Sequence, residues 1–278
     1  MKLASYLISG KPGYGVMHEK GITDLSVHFG NKYPDLKSLI SDPDALALAK
    51  EYPLDSVIPT NSVTFLPVIP NPNKILCVGM NYKEKRKEFS ATESAMTLFT
   101  RFSDTQVGHL QPVIKPPFTE EFDYEGELAV IIGKPCHRIK AADAQQYIAG
   151  YSCYMDGSVR DWQYEWFTAG KNWLNTGAFG PCLTTIDEVP DLENLSIQTI
   201  LNGERVQHDF LGNMVYKVPV IIEYISTFTR LSPGDVIITG SPGGVGKKRH
   251  PPLFLKAGDK IEVIIDKIGH LTNTIANE

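Results

Sequence analysis

Three carboxylates are the residues with the clearest capacity for chemistry in this sequence. Glu125 and Glu127 are two residues apart, so on a β-strand their side chains project from the same face. Residues 128–132 follow directly and are all apolar, which predicts a strand buried on both faces. Two like charges beside a buried strand repel each other and lose hydration. With Asp156 they offer three oxygen ligands that suit Mg²⁺, Mn²⁺ or Ca²⁺, and the alternative is an exposed, solvated strand end.

The residues after Asp156 could bind a substrate beside such a metal. Ser158 is a suitable helix N-cap with Asp161 three residues later, so a helical turn is predicted to begin here. Arg160 and Gln163 are three apart and would then share one face of that turn. A guanidinium and an amide on one face can grip a carboxylate or a carbonyl oxygen. The alternative is an ordinary surface helix with an Arg–Asp pair.

Two further segments could contact an anionic ligand. Lys171 lies in a loop rich in glycine and aromatic residues, where a partly desolvated ammonium group can stabilise a developing enolate. Simple solvent exposure is the alternative for a lone lysine. Residues 239–246 follow a predicted strand, and their glycines allow backbone N–H groups to converge on an anion. Their spacing does not fit a P-loop, so either an anion-binding loop or a tight hairpin is expected.

Composition argues against several other classes of function. The chain of 278 residues has a formal net charge of −5 and no basic run, which argues against a nucleic-acid partner. It lacks an apolar stretch of membrane-spanning length and an N-terminal signal-peptide core. Its four cysteines are widely spaced, which favours a reducing, cytoplasmic setting over a disulfide framework or a zinc site. The absence of H-x-x-x-H and G-x-S-x-G patterns disfavours zinc hydrolases and serine esterases.

The elements that must position these residues divide the chain in two. Residues 1–66 are predicted to form a small β-rich N-terminal domain, with a strand at Lys2–Ile8 and a helical stretch at 36–51. A proline-rich crossing follows this segment and marks the boundary. Residues 67–278 are then predicted to form the larger domain, which carries the candidate catalytic residues.

The larger domain is rich in short strand patterns. A helix at 143–149 and a strand at 151–155 would place Asp156 just past the end of a strand, and Val218–Phe228 is predicted to be a helix. The pattern Leu-x-x-Gly-Asp occurs at 231–235 and again 24 residues later, each time before an apolar strand. These two strands are predicted to lie in one β layer. The expected fold class is α+β, dominated by strands.

Several separated motifs resemble those of the fumarylacetoacetate hydrolase family. The resemblance covers nearly all of residues 73–278, and a small N-terminal module is also usual in that family. It implies a mixed β-sandwich roll, usually in homodimers, with Mg²⁺ or Mn²⁺ held by Glu125, Glu127 and Asp156. The matching stretches are 74–82, 123–133, 149–163, 180–181, 201–204 and 231–246.

The resemblance also implies a reaction. Members of the family act on 2-oxo acids, often acylpyruvates, and Arg160, Gln163 and Lys171 fall at the family's substrate-binding and enolate-stabilising positions. The loop at Thr239 falls at the substrate carboxylate. A metal acting as a Lewis acid would stabilise a pyruvate enolate as the adjacent C–C bond breaks. The leading hypothesis is therefore a divalent-metal-dependent hydrolase of an acylpyruvate-like 2-oxo acid, in aromatic catabolism.

Several positions depart from the family pattern. Lys85 stands where a His usually pairs with the acid at Glu88 to activate water, and a protonated lysine cannot take a proton from water. Arg101 stands where a lysine is usual. Leu174 and Asn213 both occupy positions where Asp is common.

The change at Lys85 keeps other reactions open. For hydrolysis, Glu88 alone or a neutral Lys85 would have to act as the base. A reaction that needs no activated water is the alternative, such as decarboxylation or enol–keto isomerisation of a 2-oxo or 2-hydroxy-dienedioate. A third reading is a non-catalytic protein that binds oxo acids. In each case a lid near residues 84–102 and the aromatic stretch 162–173 are expected to line the pocket.

Overall fold

The computed structural model describes residues 1–53, 57–91 and 95–278. The strands are, in chain order, β1 (Lys2–Ile8), β2 (Lys11–His18), β3 (Gly21–Asp24), β4 (Thr64–Phe65), β5 (Ile75–Gly79), β6 (Thr97–Arg101), β7 (Gln106–Val107), β8 (Val113–Lys115), β9 (Phe122–Asp123), β10 (Gly126–Ile132), β11 (Ile148–Met155), β12 (Ser158–Val159), β13 (Gly177–Thr185), β14 (Ser196–Leu201), β15 (Glu204–Phe210), β16 (Val236–Ile238), β17 (Lys260–Ile265) and β18 (Gly269–Asn277). The α-helices are α1 (Ser26–Phe29), α2 (Leu36–Ile40), α3 (Pro43–Glu51), α4 (Lys83–Glu88), α5 (Thr168–Lys171) and α6 (Val218–Phe228). Short 3₁₀ helices lie at Thr60–Ser62, Ser103–Thr105, Ala141–Tyr147, Arg160–Trp162, Ile186–Glu188, Leu211–Asn213 and Gly246–Lys248.

Two sheets of very different size carry the fold. The larger has eleven strands in the order β3-β2-β1-β13-β11-β10-β16-β5-β6, with β4 paired to β1 and β7 paired to β13. The smaller has the order β15-β14-β17-β18-β8. Most neighbours are antiparallel, but β16–β5, β13–β7 and β18–β8 are parallel. The structure confirms the strand-dominated α+β fold with mixed sheets.

Strand β10 lies at the centre of the core and is buried at all seven positions. Leu128, Val130 and Ile132 pack into a cluster that includes apolar residues of β14, β17 and β18. The alternate residues Ala129 and Ile131 pack into a second cluster with residues of α2 and α3. Alternation of side chains along a strand puts these two sets on opposite faces. The prediction of a strand covered on both faces is confirmed.

The N-terminal segment is built into the larger sheet. Strand β1 pairs antiparallel with β13, with Lys2 opposite Thr184 and Leu3 opposite Leu183. Strands β2 and β3 continue the sheet outward from β1. The strands of residues 1–66 therefore extend the sheet that carries β10 and β11, and a domain boundary at residue 66 stays a prediction.

Two helix predictions need correction. The stretch 36–51 is two helices, because Asp42 caps α3 through its side chain and Pro43 takes the first turn of that helix. The predicted helix at 143–149 is a 3₁₀ helix that ends at Tyr147, after which β11 begins. The prediction for Val218–Phe228 is confirmed as α6.

The repeated Gly-Asp turn recurs in its geometry but not in its place in the fold. Gly234 and Gly258 both have a positive φ, of 80° and 91°. Asp235 and Asp259 each accept a hydrogen bond from the backbone N–H three residues earlier, at 2.8 and 2.9 Å. The strands that follow, however, lie in different sheets. The prediction that they share one layer is wrong, because a turn determines how a strand begins and not which strands it pairs with.

The four cysteines lie in the interior of the fold. All four are free thiols with buried side chains. Cys153 and Cys182 are fully enclosed among apolar neighbours. Within the described residues, no helix is both long enough and apolar enough to cross a membrane.

Candidate active site

The three predicted carboxylates come together at one end of β10 and β11. Glu125 precedes β10, Glu127 is its second residue and Asp156 follows β11. The two strands are antiparallel, and the Asp156 N–H donates to the Glu125 carbonyl at 2.8 Å. One oxygen of each carboxylate lies within 4.8 Å of the others, and all three side chains are buried. The alternative, an exposed and solvated strand end, is therefore wrong.

Glu125 and Glu127 of this cluster line a cavity of about 230 Å³. Both predicted walls contribute to it: the lid stretch supplies Lys85, Phe89 and Phe99, and the aromatic stretch supplies four residues. Residues 92–94 of the lid stretch lie outside the described residues. The lining residues are Val78, Gly79, Met80, Lys85, Phe89, Phe99, Glu125, Glu127, Arg160, Gln163, Tyr164, Phe167, Lys171, Gly240 and Lys247.

Lys171 lies within the carboxylate cluster. It ends the short helix α5, and its side chain is almost fully buried. Its Nζ donates to Glu125 Oε2 at 2.7 Å, to Asp156 Oδ2 at 2.6 Å and to Ser158 Oγ at 2.6 Å. Burial opposes the charge, but Asp156 and Glu125 raise the pKa of Lys171 above its ordinary value. Solvent exposure, the alternative for this lysine, is wrong.

Arg160 and Gln163 are adjacent, as their spacing predicted. Arg160 Nη1 donates to Gln163 Oε1 at 3.1 Å, and Arg160 also donates to Asp123 Oδ2 and Glu125 Oε1, both at 2.8 Å. The helical turn nevertheless begins at Arg160 and not at Ser158. Ser158 belongs to β12, and its hydroxyl donates to the Asp156 carbonyl, so the predicted N-cap is wrong.

Lys85 and Glu88 lie on α4 but contact different groups. Lys85 Nζ is buried and donates to Glu125 Oε1 at 2.5 Å and to Ser241 Oγ at 2.6 Å. The Glu88 carboxylate accepts the Gly244 N–H at 3.2 and 3.4 Å. Burial raises the pKa of Glu88, although the Gly244 N–H and the charge of Lys85 oppose this. Lys85 and Glu88 stand at the positions of the expected water-activating pair. In the described contacts each of them hydrogen-bonds to other groups and not to its partner.

Glu127 is the least compensated member of the cluster. Its Oε2 accepts the Gly240 N–H at 2.6 Å, and within the described part of the chain it forms no ion pair. Burial, and then the charges of Asp156 and Glu125, raise the pKa of Glu127 well above its usual range. Gly240 has a φ of 95°, and a Cβ there would lie 2.8 Å from Asn81 Cβ, so glycine is required for this approach.

By contrast, Glu125 is surrounded by cations. Burial opposes its ionisation, yet Lys171, Lys85 and Arg160 hold the pKa of Glu125 well below its usual range. Asp156 is paired on its other side with Arg101, which also donates to the Gly157 carbonyl at 2.9 Å. Arg101 is fully buried there and holds Asp156 in place.

Two residues of this network were not named individually as site residues from the sequence. Asp123 accepts the N–H groups of Gly246 and Lys247 as well as the Arg160 guanidinium. Its position two residues before Glu125 is the signal that would have identified it. Ser241 lies in the predicted anion-binding loop 239–246, but nothing in the sequence indicated its contact with Lys85, because that contact depends on how the loop packs against α4.

The remaining predicted positions lie away from the cavity wall. Thr239 is fully buried, its hydroxyl donates to the Leu128 carbonyl at 3.1 Å, and its neighbour Gly240 lines the cavity instead. A substrate contact by Thr239 stays a prediction. Leu174 is 63% exposed and Asn213 donates to Asp209, and neither is among the described residues that line the cavity.

The donor set fits a hard divalent cation. Carboxylate oxygens are the ligands that Mg²⁺, Mn²⁺ and Ca²⁺ prefer. Three of them converge here, and burial together with the negative charges of Asp156 and Glu125 raises the pKa of Glu127, which has no charge compensation from an ion pair among the described residues. A cation bound beside Glu127 would provide that compensation.

Comparison with known sequences points to one family. The family model "Fumarylacetoacetate (FAA) hydrolase C-terminal" matches residues 74–276. The mitochondrial oxaloacetate tautomerase FAHD2A of Homo sapiens is 42% identical over 236 residues, which cover 82% of this chain and 74% of that protein. Because that relative is described as mitochondrial, the cytoplasmic setting expected for this chain stays a prediction.

Solved structures agree in fold over the whole chain. A putative HpcE protein from Mycobacterium smegmatis superposes with a TM-score of 0.90 at 29% identity and covers 100% of this chain and 99% of its own. The maleylpyruvate hydrolase from Sphingobium sp. SYK-6, in complex with manganese (II) ion and pyruvate, has a TM-score of 0.85 at 28% identity, with coverage of 100% and 99%. The relatives include enzymes named for hydrolysis and for tautomerisation. On its sequence motifs, its carboxylate cluster and these matches, this chain belongs to the fumarylacetoacetate hydrolase family.

Proposed function

We propose that this protein is a divalent-metal-dependent enzyme that interconverts the keto and enol forms of a small 2-oxo dicarboxylic acid, with oxaloacetate as the first candidate. The observation that carries this proposal is that Lys85 and Glu88 hydrogen-bond to different groups. Lys85 donates to Glu125 and Ser241, while Glu88 accepts from the Gly244 N–H, so the pair is not arranged to take a proton from water. Keto–enol exchange moves one proton between C3 and the C2 oxygen and consumes no water. The 42% identity to a named oxaloacetate tautomerase supports the same choice.

Glu125, Glu127 and Asp156 would hold the metal, which we propose to be Mg²⁺ or Mn²⁺, with Ca²⁺ also compatible with oxygen ligands. When bound, such an ion supplies Lewis acidity that favours the enolate form of a 2-oxo acid.

The protein's own groups would bind and orient the substrate. Arg160 and Gln163 line the cavity side by side and present hydrogen-bond donors to a carboxylate. Lys171 Nζ lies between Glu125 and Asp156, where its charge would stabilise an enol oxygen in its deprotonated form. Phe99 and Phe167 pack at a centroid distance of 5.2 Å and provide an apolar wall that limits the access of water.

Hydrolysis of an acylpyruvate is the second candidate function. It is favoured by Glu88, whose half-buried carboxylate has a raised pKa and is therefore a better proton acceptor than an exposed one. The structural likeness to a maleylpyruvate hydrolase is consistent with it. In this reaction Glu88 would have to act without the histidine that usually assists it.

The deciding experiment follows the ultraviolet absorbance of enol-oxaloacetate with purified protein and Mn²⁺, and repeats it with excess EDTA. Free Mn²⁺ accelerates the same exchange, so Mn²⁺ alone and Mn²⁺ with the Glu127→Gln variant are the controls. We expect metal-dependent acceleration without pyruvate release. Pyruvate and carbon dioxide from oxaloacetate would indicate a decarboxylase, and pyruvate with a carboxylic acid from acylpyruvates a hydrolase. Binding without turnover would indicate a non-catalytic oxo-acid-binding protein.

The Glu88→Gln variant separates the two candidate functions. Because tautomerisation needs no activated water, we expect its rate to stay within about threefold of the wild-type rate. A hydrolase that uses Glu88 as its base would lose at least about a hundredfold in turnover of its acylpyruvate. Glu84→Gln, an exposed position on the same helix, is the matched control. A hundredfold loss of oxaloacetate tautomerisation in Glu88→Gln alone would contradict the proposed role of this site.

A homodimer, which family membership leads us to expect, is also part of the proposal. Sedimentation velocity should give about twice the chain mass of 30.8 kDa. A single species with the mass of one chain would contradict the dimer.

A further inference from the structure

The buried charges around the cavity balance each other. Among the described residues, eight charged side chains are buried in and around the cluster, four carboxylates and four cations, so their formal charges cancel when Glu127 is ionised. Burying charges in equal and opposite numbers limits the desolvation cost of the site. The eight residues are Lys85, Arg101, Asp123, Glu125, Glu127, Asp156, Arg160 and Lys171.

Lys85 is the unexpected member of this set. At its position the family resemblance leads one to expect a histidine, which can be neutral, whereas the lysine adds a full positive charge. Its side chain is 6% exposed and is held by Glu125 Oε1 and Ser241 Oγ, so solvent screens its charge weakly.

A divalent metal in this balanced site leaves an excess of two positive charges. A buried excess of that size is costly unless a ligand neutralises it. A dianion restores the balance, and a monoanion leaves one charge uncompensated. Without Lys85 the excess would be one charge, which a monoanion could neutralise.

We propose that Lys85 makes the metal-loaded site select dianionic over monoanionic ligands. This inference rests on the proposed function only in that a divalent metal occupies the carboxylate cluster. It deepens that function by assigning the preference for a dicarboxylic acid to one residue.

Oxalate and oxamate are suitable probes because they are nearly the same size and differ by one negative charge. Their dissociation constants are measured by calorimetry on the Mn²⁺-loaded wild-type protein and on Lys85→Gln. Lys87→Gln, an exposed lysine on the same helix, is the matched control. Binding of the probes to free Mn²⁺ is the same in every titration and cancels when the proteins are compared.

We expect the preference for oxalate over oxamate to fall by at least about tenfold in Lys85→Gln, since a buried unit charge a few ångströms away acts through a low effective dielectric. In Lys87→Gln it should change by less than about twofold, because an exposed charge is screened. Lys85→Arg keeps the charge and should keep most of the preference.

Three results would overturn the inference. One is a folded, Mn²⁺-loaded Lys85→Gln with the wild-type preference. Another is Lys85→Arg losing the preference as fully as Lys85→Gln, which would indicate packing and not charge. The third is a wild-type protein that binds no Mn²⁺. Circular dichroism and thermal unfolding establish that each variant is folded. A protein that keeps the charge preference but does not turn over oxaloacetate would contradict the proposed function alone.

Discussion

At the residue scale, Glu127 is where the need for a metal is most evident. Its neighbours in the cluster are paired with lysine or arginine, but its own described partner is the backbone N–H of Gly240. Removing its charge should therefore not destabilise the metal-free protein. Removing a ligand oxygen should at the same time weaken metal binding.

We predict that Glu127→Gln lowers Mn²⁺ affinity by at least about a hundredfold, the upper end of what loss of a mere supporting contact costs. Its free energy of unfolding in EDTA should be no lower than that of the wild type, because burial and neighbouring carboxylates raise the pKa of Glu127. Calorimetric titration and urea unfolding measure the two quantities. Glu120→Gln, at an exposed position, should change neither. A clear loss of stability in EDTA would mean that the Glu127 charge is already compensated.

Spacing in the sequence was informative wherever one short segment carries two functional residues. Glu125 with Glu127, and Arg160 with Gln163, are neighbours in space because each pair shares one piece of backbone. The partnership of Lys85 with Ser241 joins residues 156 positions apart and depends on how two elements pack. No local pattern encodes such a contact.

At the element scale, His109 connects two parts of the fold. Its Nδ1 accepts the N–H of Thr272 on β18 at 3.1 Å, and its ring meets Phe65 on β4 edge-on at 5.2 Å. Burial, and then the charge of His270, lower the pKa of His109 from 6.5 to about 4. The folded protein thus resists protonation at a position where the unfolded chain accepts a proton.

The sign of the pH effect follows from this difference. Above pH 6.5 His109 is neutral in both the folded and the unfolded chain, so it does not lower the free energy of unfolding. As the pH falls towards 4 the unfolded chain gains a proton first, so stability falls, by at most about 3 kcal/mol. We predict that His109→Gln removes this part of the decrease in stability at low pH. The free energy of unfolding, measured between pH 7.5 and 4, should then fall less steeply in the variant than in the wild type. The exposed His137→Gln should leave the wild-type slope unchanged. An unchanged slope in His109→Gln would show that His109 titrates normally.

Helices and strands were predictable where the sequence signal is local. The sheet to which a strand belongs was not predictable, because it depends on strand pairing. The apolar period of α6 and the apolar run of β10 both gave the observed element. The proline at position 43 marks the break between α2 and α3, although the period alone predicted one helix. The sheet to which β16 or β17 belongs depends on its partner strands, which no turn motif specifies.

At the scale of the whole molecule, the N-terminal segment and the active site share one core. The cluster behind β10 contains Leu3 of β1 and Leu39 of α2 together with Ala129, Ile131 and Tyr154, which lie on the strands that carry the carboxylates. Because burial and the neighbouring carboxylates raise the pKa of Glu127, protonation can remove its charge when no metal is bound, and we expect the protein to remain folded in EDTA. Bound Mn²⁺ should then add stability by mass action, about 2.7 kcal/mol at a concentration one hundred times its dissociation constant.

This shared core makes a prediction about cooperativity that also tests the proposed boundary at residue 66. Leu39 is fully buried, so Leu39→Ala should lower the free energy of unfolding by about 2–5 kcal/mol. If residues 1–66 and the site unfold together, calorimetry should show one transition, shifted down by Leu39→Ala and up by Mn²⁺. Leu48→Ala, at a side chain 60% exposed, should change stability by less than about 0.5 kcal/mol. Two transitions, with only the first sensitive to Leu39→Ala and only the second to Mn²⁺, would instead identify residues 1–66 as an independent domain.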